Sequence, residues 1–286
     1  MKIAIASGKG GTGKTTISTN LTAWLSESEP VVLVDLDVEE PNSGLFIRGK
    51  LSGEHLQYKM IPEWKKEDCT LCGECQEVCN YNAIIQLGQT IMVFPELCHS
   101  CYACSELCPA DALPMVQKEI GWIRNYQLNQ LNFIESRLHV GEEQSTQLIA
   151  QTNRFVQDNY NEDMPVIFDA PPGTSCPVIE ATKHVDFVIL VTEPTPFGVH
   201  DLKLAVETMR ELNKPFGVVV NRFGIGNNEV FEYCENERIQ ILAKIPNSRE
   251  IAELYSRGEL IYNKIPEFKN ELMNLWNKVK KELHTQ

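Results

Sequence analysis

Gly8-Lys9-Gly10-Gly11-Thr12-Gly13-Lys14-Thr15-Thr16 follows a short apolar run, Ile3 to Ala6. It precedes a stretch that sets Ile17, Leu21, Trp24 and Leu25 on one helical face. Strand, glycine loop and helix in that order make a phosphate cradle. The glycines let the backbone approach an anion with no Cβ in the way. Loop N–H groups and the positive end of the helix then hold the phosphates. The run from Gly8 to Thr15 fits G-x-x-x-x-G-K-[ST]. That motif directs Lys14 to the β- and γ-phosphates and the Thr15 hydroxyl to Mg²⁺. Gly8, Lys9, Gly10, Gly11, Thr12, Gly13 and Thr16 complete the expected nucleotide-binding loop.

Two more strand ends carry acids. Val31 to Val34 runs into Asp35-Leu36-Asp37, and Pro165 to Phe168 runs into Asp169-Ala170-Pro171-Pro172-Gly173. An acid at the carboxyl end of a parallel strand, beside a phosphate loop, is placed to act on Mg²⁺ or on an attacking water. Asp37 and Asp169 therefore join Thr15 as the expected magnesium residues. Phe187–Val191, Phe216–Val220 and Ile239–Ile245 read as further strands, and 198–212 as a helix. Strands alternating with helices give an α/β fold, a parallel sheet with helices on both faces. Phe216–Val220 ends at Asn221-Arg222, where an asparagine can hydrogen-bond adenine. The N-K-x-D of GTP-binding proteins is absent, which favours ATP.

Between the first two acidic strand ends lies a different composition. Eight of the ten cysteines fall between Cys69 and Cys108. They form two runs, Cys69-x2-Cys72-x2-Cys75-x3-Cys79 and Cys98-x2-Cys101-x2-Cys104-x3-Cys108, with Pro109 after the second. These are bacterial ferredoxin spacings, in which each run's last cysteine serves the other cluster. One [4Fe-4S] cluster is thus expected on Cys69, Cys72, Cys75 and Cys108, and the other on Cys98, Cys101, Cys104 and Cys79. Ala83-Ile84 and Ala112-Leu113 stand at equivalent places, marking a repeat of about 29 residues. Zinc, the rival, usually pairs two C-x2-C hairpins. Asn80 stands where the ferredoxin pattern has proline, which alters a turn but removes no ligand. The expected organisation is a nucleotide domain over 1–60 and 115–286, with a small α+β ferredoxin-type domain inserted over 61–114.

The totals bound the class. The chain has 286 residues, 43% of them hydrophobic, and a formal net charge of -13. That balance argues against nucleic acid, whose phosphates are met by Lys and Arg. No apolar run approaches the roughly 20 residues of a membrane span. Met1-Lys2-Ile3 enters the first strand directly, leaving no room for a leader. A soluble cytoplasmic protein is expected, and clustered cysteines there suggest metal rather than disulfides. Residues 115–140 alternate through Leu131, Phe133 and Leu138 and suggest extra strands, and Leu148 to Val156 suggests a helix. Phe268, Leu272, Leu275, Trp276, Val279 and Leu283 line one face of a terminal helix that reads as docked on the domain.

Lys9, directly after the first glycine, is not required by the general motif. With it the loop resembles that of the deviant Walker A ATPases, which include the nitrogenase iron protein, MinD-type septum regulators and Mrp-type iron–sulfur scaffolds. The whole chain resembles a MinD/Mrp-type P-loop ATPase with an inserted two-cluster ferredoxin domain. The resemblance implies that Lys9 crosses a dimer interface to the partner's nucleotide, so that ATP closes a homodimer, or a dimer with a paralogue. DLDVEEPN and DAPPG resemble the family's two switches. By that match Asp37 orients the hydrolytic water, Asp35 helps hold the metal region, Asp169 holds Mg²⁺, and Gly173 offers its N–H to the γ-phosphate. Lys9, Lys14, Asp37 and Asp169 are the expected catalytic set, and resemblance supports Asn221 as an adenine contact. Cys176, just past the second switch, reads either as a small packed side chain or as a residue near a dimer axis. The C-x-x-C pair that Mrp-type scaffolds carry late in the chain is absent, Cys234 standing alone. Three functions fit: ATP-driven electron transfer to an unidentified redox partner, assembly or carriage of iron–sulfur units for an apo-metalloprotein, and a MinD-like regulator with structural clusters.

Overall fold

The computed structural model describes residues 1–161 and 163–285. In chain order the first elements are β1 (Lys2–Ala6), α1 (Lys14–Leu25), β2 (Val31–Asp35), β3 (Lys50–Pro62), α2 (Glu74–Glu77), β4 (Ile84–Leu87), β5 (Thr90–Val93) and α3 (Ala103–Glu106). Next come β6 (Met115–Leu128), β7 (Leu131–Leu138), α4 (Ser145–Asn159), β8 (Val166–Asp169), α5 (Cys176–Thr182), β9 (Phe187–Thr192) and α6 (Pro196–Glu211). The last are β10 (Phe216–Phe223), α7 (Glu229–Asn236), β11 (Ile241–Pro246), α8 (Arg249–Ser256) and α9 (Pro266–Thr285).

A nine-stranded sheet runs in the order β11-β10-β9-β1-β8-β2-β7-β6-β3. Every pairing from β11 to β7 is parallel, and β7–β6 and β6–β3 are antiparallel. The parallel strands are apolar throughout because both faces are covered. Val32 and Val34 face a core shared with α4, α5, α6 and α7, while Val31 and Leu33 face one shared with α1, α8 and α9. On α9, Phe268, Leu272, Leu275 and Val279 are fully buried in that second core. Each such side chain contributes about 1.5–3 kcal/mol relative to exposure, which fixes this helix on the sheet.

Sequence reading did not anticipate β3. Its side chains are mostly exposed and polar, with no period-two pattern to betray a strand. It pairs with β6 from Lys50↔Gln127 to Pro62↔Met115 as a long antiparallel ribbon. Ile61 and Pro62, assigned by sequence to the insertion, belong to this ribbon. Backbone bonds carry the pairing past its end, Glu63 donating to the Pro114 carbonyl and Lys65 to that of Ala112, both at 2.9 Å. Residues 63–114 thus form a cap on the ribbon tip. Because β6 is antiparallel to β7, that tip points to the sheet end where the loop after β1 opens.

The cap repeats itself in its backbone. α2 and α3 lie at equivalent places, and left-handed residues recur in pairs: Leu71 with Ser100, Gly73 with Tyr102, Asn82 with Asp111. Its own small core gathers Ile84, Ile91, Cys104 and Leu113.

Candidate nucleotide site and cysteine cavities

The phosphate loop closes on α1 through Gly13, whose φ of 100° and left-handed backbone suit glycine. A Cβ there would meet the Asn221 amide nitrogen at 2.2 Å. That amide donates to the Thr12 carbonyl at 2.7 Å, so Asn221 braces the loop from β10. The adenine contact expected of Asn221 falls to the donor and acceptor capacity that this bond leaves over.

Lys14 is buried beside Asp169, Asp37 and Asp35. Burial lowers its pKa, and the three carboxylates oppose that shift. Asp169, fully buried, is raised by burial, while the Thr15, Ser43 and Ser18 hydroxyls and the Lys14 charge favour its ionised form. Ser43 donates to Asp169 Oδ2 at 3.1 Å. Asp169 Oδ1 is buried with no hydrogen-bond partner among the described residues. Thr12 Oγ1 is in the same condition. Buried polar atoms are rarely left so. Three acids around one lysine and an orphaned carboxylate oxygen fit a divalent cation bound with a polyphosphate.

Asp35, expected by resemblance to help hold the metal region, is engaged by the backbone. It accepts backbone N–H groups of Asp37 at 3.1 Å, Asn42 at 3.0 Å and Ser43 at 2.9 Å. It therefore shapes the 37–43 loop, which in turn presents Ser43 to Asp169. Burial, with Asp169 next, holds it well above the usual carboxylate range. Asp37 remains partly accessible and is pushed up to about 6, by burial first, with Lys14 opposing.

Two contacts concern the expected switch residues. The Gly173 N–H donates to the Ser7 carbonyl at 3.0 Å. A γ-phosphate contact from that group requires this bond to be exchanged. Lys9 Nζ sits 2.6 Å from Glu193 Oε1, and Arg222 bonds the other oxygen at 3.0 Å and the Gly11 carbonyl at 3.3 Å. Sequence reading passed over Glu193, Arg222 and Ser43, ordinary polar residues far from the motif; only the strand-end positions of the first two hinted at a role. Cys176, at the start of α5, is exposed rather than packed, and Cys234 is buried.

In the cap, one pocket is lined by Cys79, Cys98, Cys101 and Cys104, with Ile84 and Met115 among its apolar walls. A second is lined by Cys69, Cys72, Cys75 and Cys108. Each run's last cysteine thus faces the other run's cavity. The Ala83 N–H donates to Cys79 Sγ and the Ala112 N–H to Cys108 Sγ, both at 3.3 Å. Burial, then its neighbours Cys98, Cys101 and Cys79, pushes the Cys104 thiol up to about 11. Cys75 is raised by burial and by Cys69 and Cys72, although the Gln76 N–H opposes. No group of three or more His, Cys, Asp or Glu among the described residues converges tightly enough for one metal ion. The thiols line hollow spaces instead of meeting at a point.

A family model described as the CobQ/CobB/MinD/ParA nucleotide binding domain matches residues 3–261. An uncharacterized protein of Methanocaldococcus jannaschii, MJ0579, is 30% identical over 283 residues, 96% of this chain and 97% of its own. An iron–sulfur cluster carrier protein of Aquifex aeolicus is 26% identical over 275 residues, 91% of this chain and 61% of its own length. Among solved structures, the septum site-determining protein MinD of Pyrococcus horikoshii, complexed with Mg-ADP, aligns at a TM-score of 0.60 and 18% identity. That alignment covers 98% of this chain and 96% of the other. No helix among the described residues is long and apolar enough to cross a membrane.

Proposed function

This chain belongs to the CobQ/CobB/MinD/ParA nucleotide-binding family and is an ATPase of MinD/ParA type, and from that premise we propose that it couples ATP binding and hydrolysis to electron transfer through two [4Fe-4S] clusters. The observation that carries the reading is the pair of four-cysteine cavities in a cap mounted on the ATPase sheet. Cys69, Cys72, Cys75 and Cys108 hold one cluster, and Cys98, Cys101, Cys104 and Cys79 the other. Three cysteines at x2 and a fourth at x3 in each run, with the fourth lining the other run's pocket, favour polynuclear iron over zinc, which usually pairs two C-x2-C hairpins. Bound there, the clusters supply one-electron transfer at potentials set by charge, hydrogen bonding and exposure.

The chain's own residues supply the rest. Lys14 and the loop N–H groups grip the triphosphate. Thr15 and Asp169 hold Mg²⁺, and Asp37 orients the attacking water. Lys9 leaves Glu193 and reaches the partner protomer's nucleotide as ATP closes a dimer of two copies, or of this chain and a paralogue. Binding rearranges the loops after β2 and β8, a rigid-body switch of a known kind, and hydrolysis resets them.

Anaerobic purification tests the reading, with about eight iron atoms per chain expected for two cubanes. Redox titration with and without Mg-ATP follows. Iron-free protein, or equal potentials and equal acceptor-reduction rates in both conditions, overturns it. Likeness to the Aquifex aeolicus carrier protein favours a second reading, cluster assembly or carriage. Its mark is transfer of iron and sulfide to an apo-protein. Four ligands within one chain retain a cluster well, which ranks this reading second.

A further inference from the structure

Lys59 is 1% exposed, an unusual place for a cation, and neither site just described explains it. It lies on β3 directly across from Lys118 on β6. Like charges facing each other across an antiparallel pair repel. Glu142, from the loop between β7 and α4, resolves the repulsion with one carboxylate. Its Oε2 lies 3.0 Å from Lys59 Nζ and its Oε1 2.7 Å from Lys118 Nζ. Glu96 takes Lys118 from the other side at 3.0 Å. Burying such a pair adds little net stability, because desolvation offsets the attraction. What it does is hold the 139–144 loop in one place.

That loop touches both functional regions. Just before it, at the last residue of β7, the Leu138 N–H donates to the carbonyl of Val38, next to Asp37, at 2.9 Å. At its end, Gln144 donates from its side chain to the Cys98 carbonyl at 2.6 Å. Ser100 bonds the carbonyl of Met60, the residue after Lys59, at 2.6 Å. The following helix extends the tie. In α4, Gln151 bonds the Tyr58 carbonyl at 2.7 Å, and Asn153 bonds the Glu180 carbonyl of α5 at 3.0 Å. Among the described residues no side chain of this loop or of α4 hydrogen-bonds the first cysteine run. The Asp37 loop, through Val38, and α5, through Glu180, are therefore linked to the segment that carries Cys98, while the first cysteine run receives no side-chain bond from the loop or from α4 among the described residues.

We propose that the 139–144 loop, with Glu142 and Gln144 as positioning residues, couples the Asp37 loop to the cavity of Cys79, Cys98, Cys101 and Cys104, so that the bound nucleotide sets the redox behaviour of the group held there. This rests on the cluster reading above. Coupling of this kind is reciprocal: a nucleotide that shifts the redox equilibrium is bound with an affinity that depends on redox state by the same factor.

The test is an EPR-monitored potentiometric titration of the full-length reconstituted protein, alone, with Mg-ADP and with Mg-AMPPNP. Hydrogen exchange of the iron-free chain, with and without Mg-AMPPNP, runs beside it. One of the two redox couples is expected to move at least tenfold in its oxidised-to-reduced ratio at fixed potential, about 59 mV for one electron. The other is expected to stay in place. Gln144→Leu, and separately the double change Lys59→Met with Glu142→Leu, abolish the shift while iron content and nucleotide affinity of the oxidised protein are retained. The double change replaces a buried pair by apolar side chains, which folded proteins tolerate. In the iron-free chain, AMPPNP alters amide exchange around 98–101 and 138–147 in the parent and not in Gln144→Leu. A shift that survives in both variants, or iron-loaded parent protein with no shift, overturns the inference while leaving the clusters in place. Absence of iron overturns the cluster reading instead, and the exchange arm then decides the coupling alone, unchanged exchange at both segments overturning it.

Discussion

Asp37 and Gly13 carry the sharpest consequences at the level of single residues. Asp37 is pushed up to about 6 by burial, against an ordinary value of 3.8. Between those values the folded chain binds more protons than the unfolded one, so stability falls as pH climbs through that window and stays reduced above it. Asp37→Asn is expected to melt higher than the parent at pH 7.5 without nucleotide or metal, the difference shrinking as pH drops below 6. Differential scanning calorimetry across pH checks this. The same variant should bind nucleotide and lose hydrolysis, read as phosphate release. Gly13→Ala puts a methyl into the Asn221 amide and a Cβ on a left-handed residue. We expect it to abolish nucleotide binding in calorimetric titration, with a melting temperature lowered by several degrees. Much of this site was legible in advance because glycine spacing and strand-end acids are local signals. Glu193, Arg222 and Ser43 were not, since their roles come from the sheet order that brings β9, β10 and the 37–43 loop beside the phosphate loop.

Helices and strands divide in the same way. The parallel strands announce themselves as apolar runs because helices cover both faces. α9 announces itself by its stripe, and its buried face leaves little apolar surface for a membrane. Leu275→Ala removes a fully buried side chain from the core between α9 and the sheet. It is expected to cost about 2–5 kcal/mol in urea unfolding, with the cysteine cap unaffected. β3 stayed hidden because an exposed ribbon strand needs no apolar alternation. Its partner β6 showed only as part of the 115–140 stretch, whose named alternating residues, Leu131, Phe133 and Leu138, all lie on β7. The cysteine runs were legible by spacing alone, and the equivalence of their left-handed residues appears only in the backbone.

For the molecule as a whole, the Lys9–Glu193 contact describes a chain whose loop lysine is engaged at home. Lys9→Ala is expected to retain nucleotide affinity within about threefold and to lose both ATP-dependent dimerisation and hydrolysis, as read by light scattering after gel filtration and by phosphate release. A variant that still dimerises with ATP refutes the role given to Lys9. The placement of the cap has its own consequence. From β1 to β6 is four strand steps, roughly 19 Å at the usual spacing between strands, and the ribbon tip lies farther out still. In physiological salt, charges at the surface fade over about 8 Å. Across solvent the charge lost when a γ-phosphate departs is screened short of the far cysteines; across the buried sheet it is screened less but weakened by the distance. Touching atoms along the loops carry what that weak field does not, and this part of the signal moves no faster than a loop can rearrange.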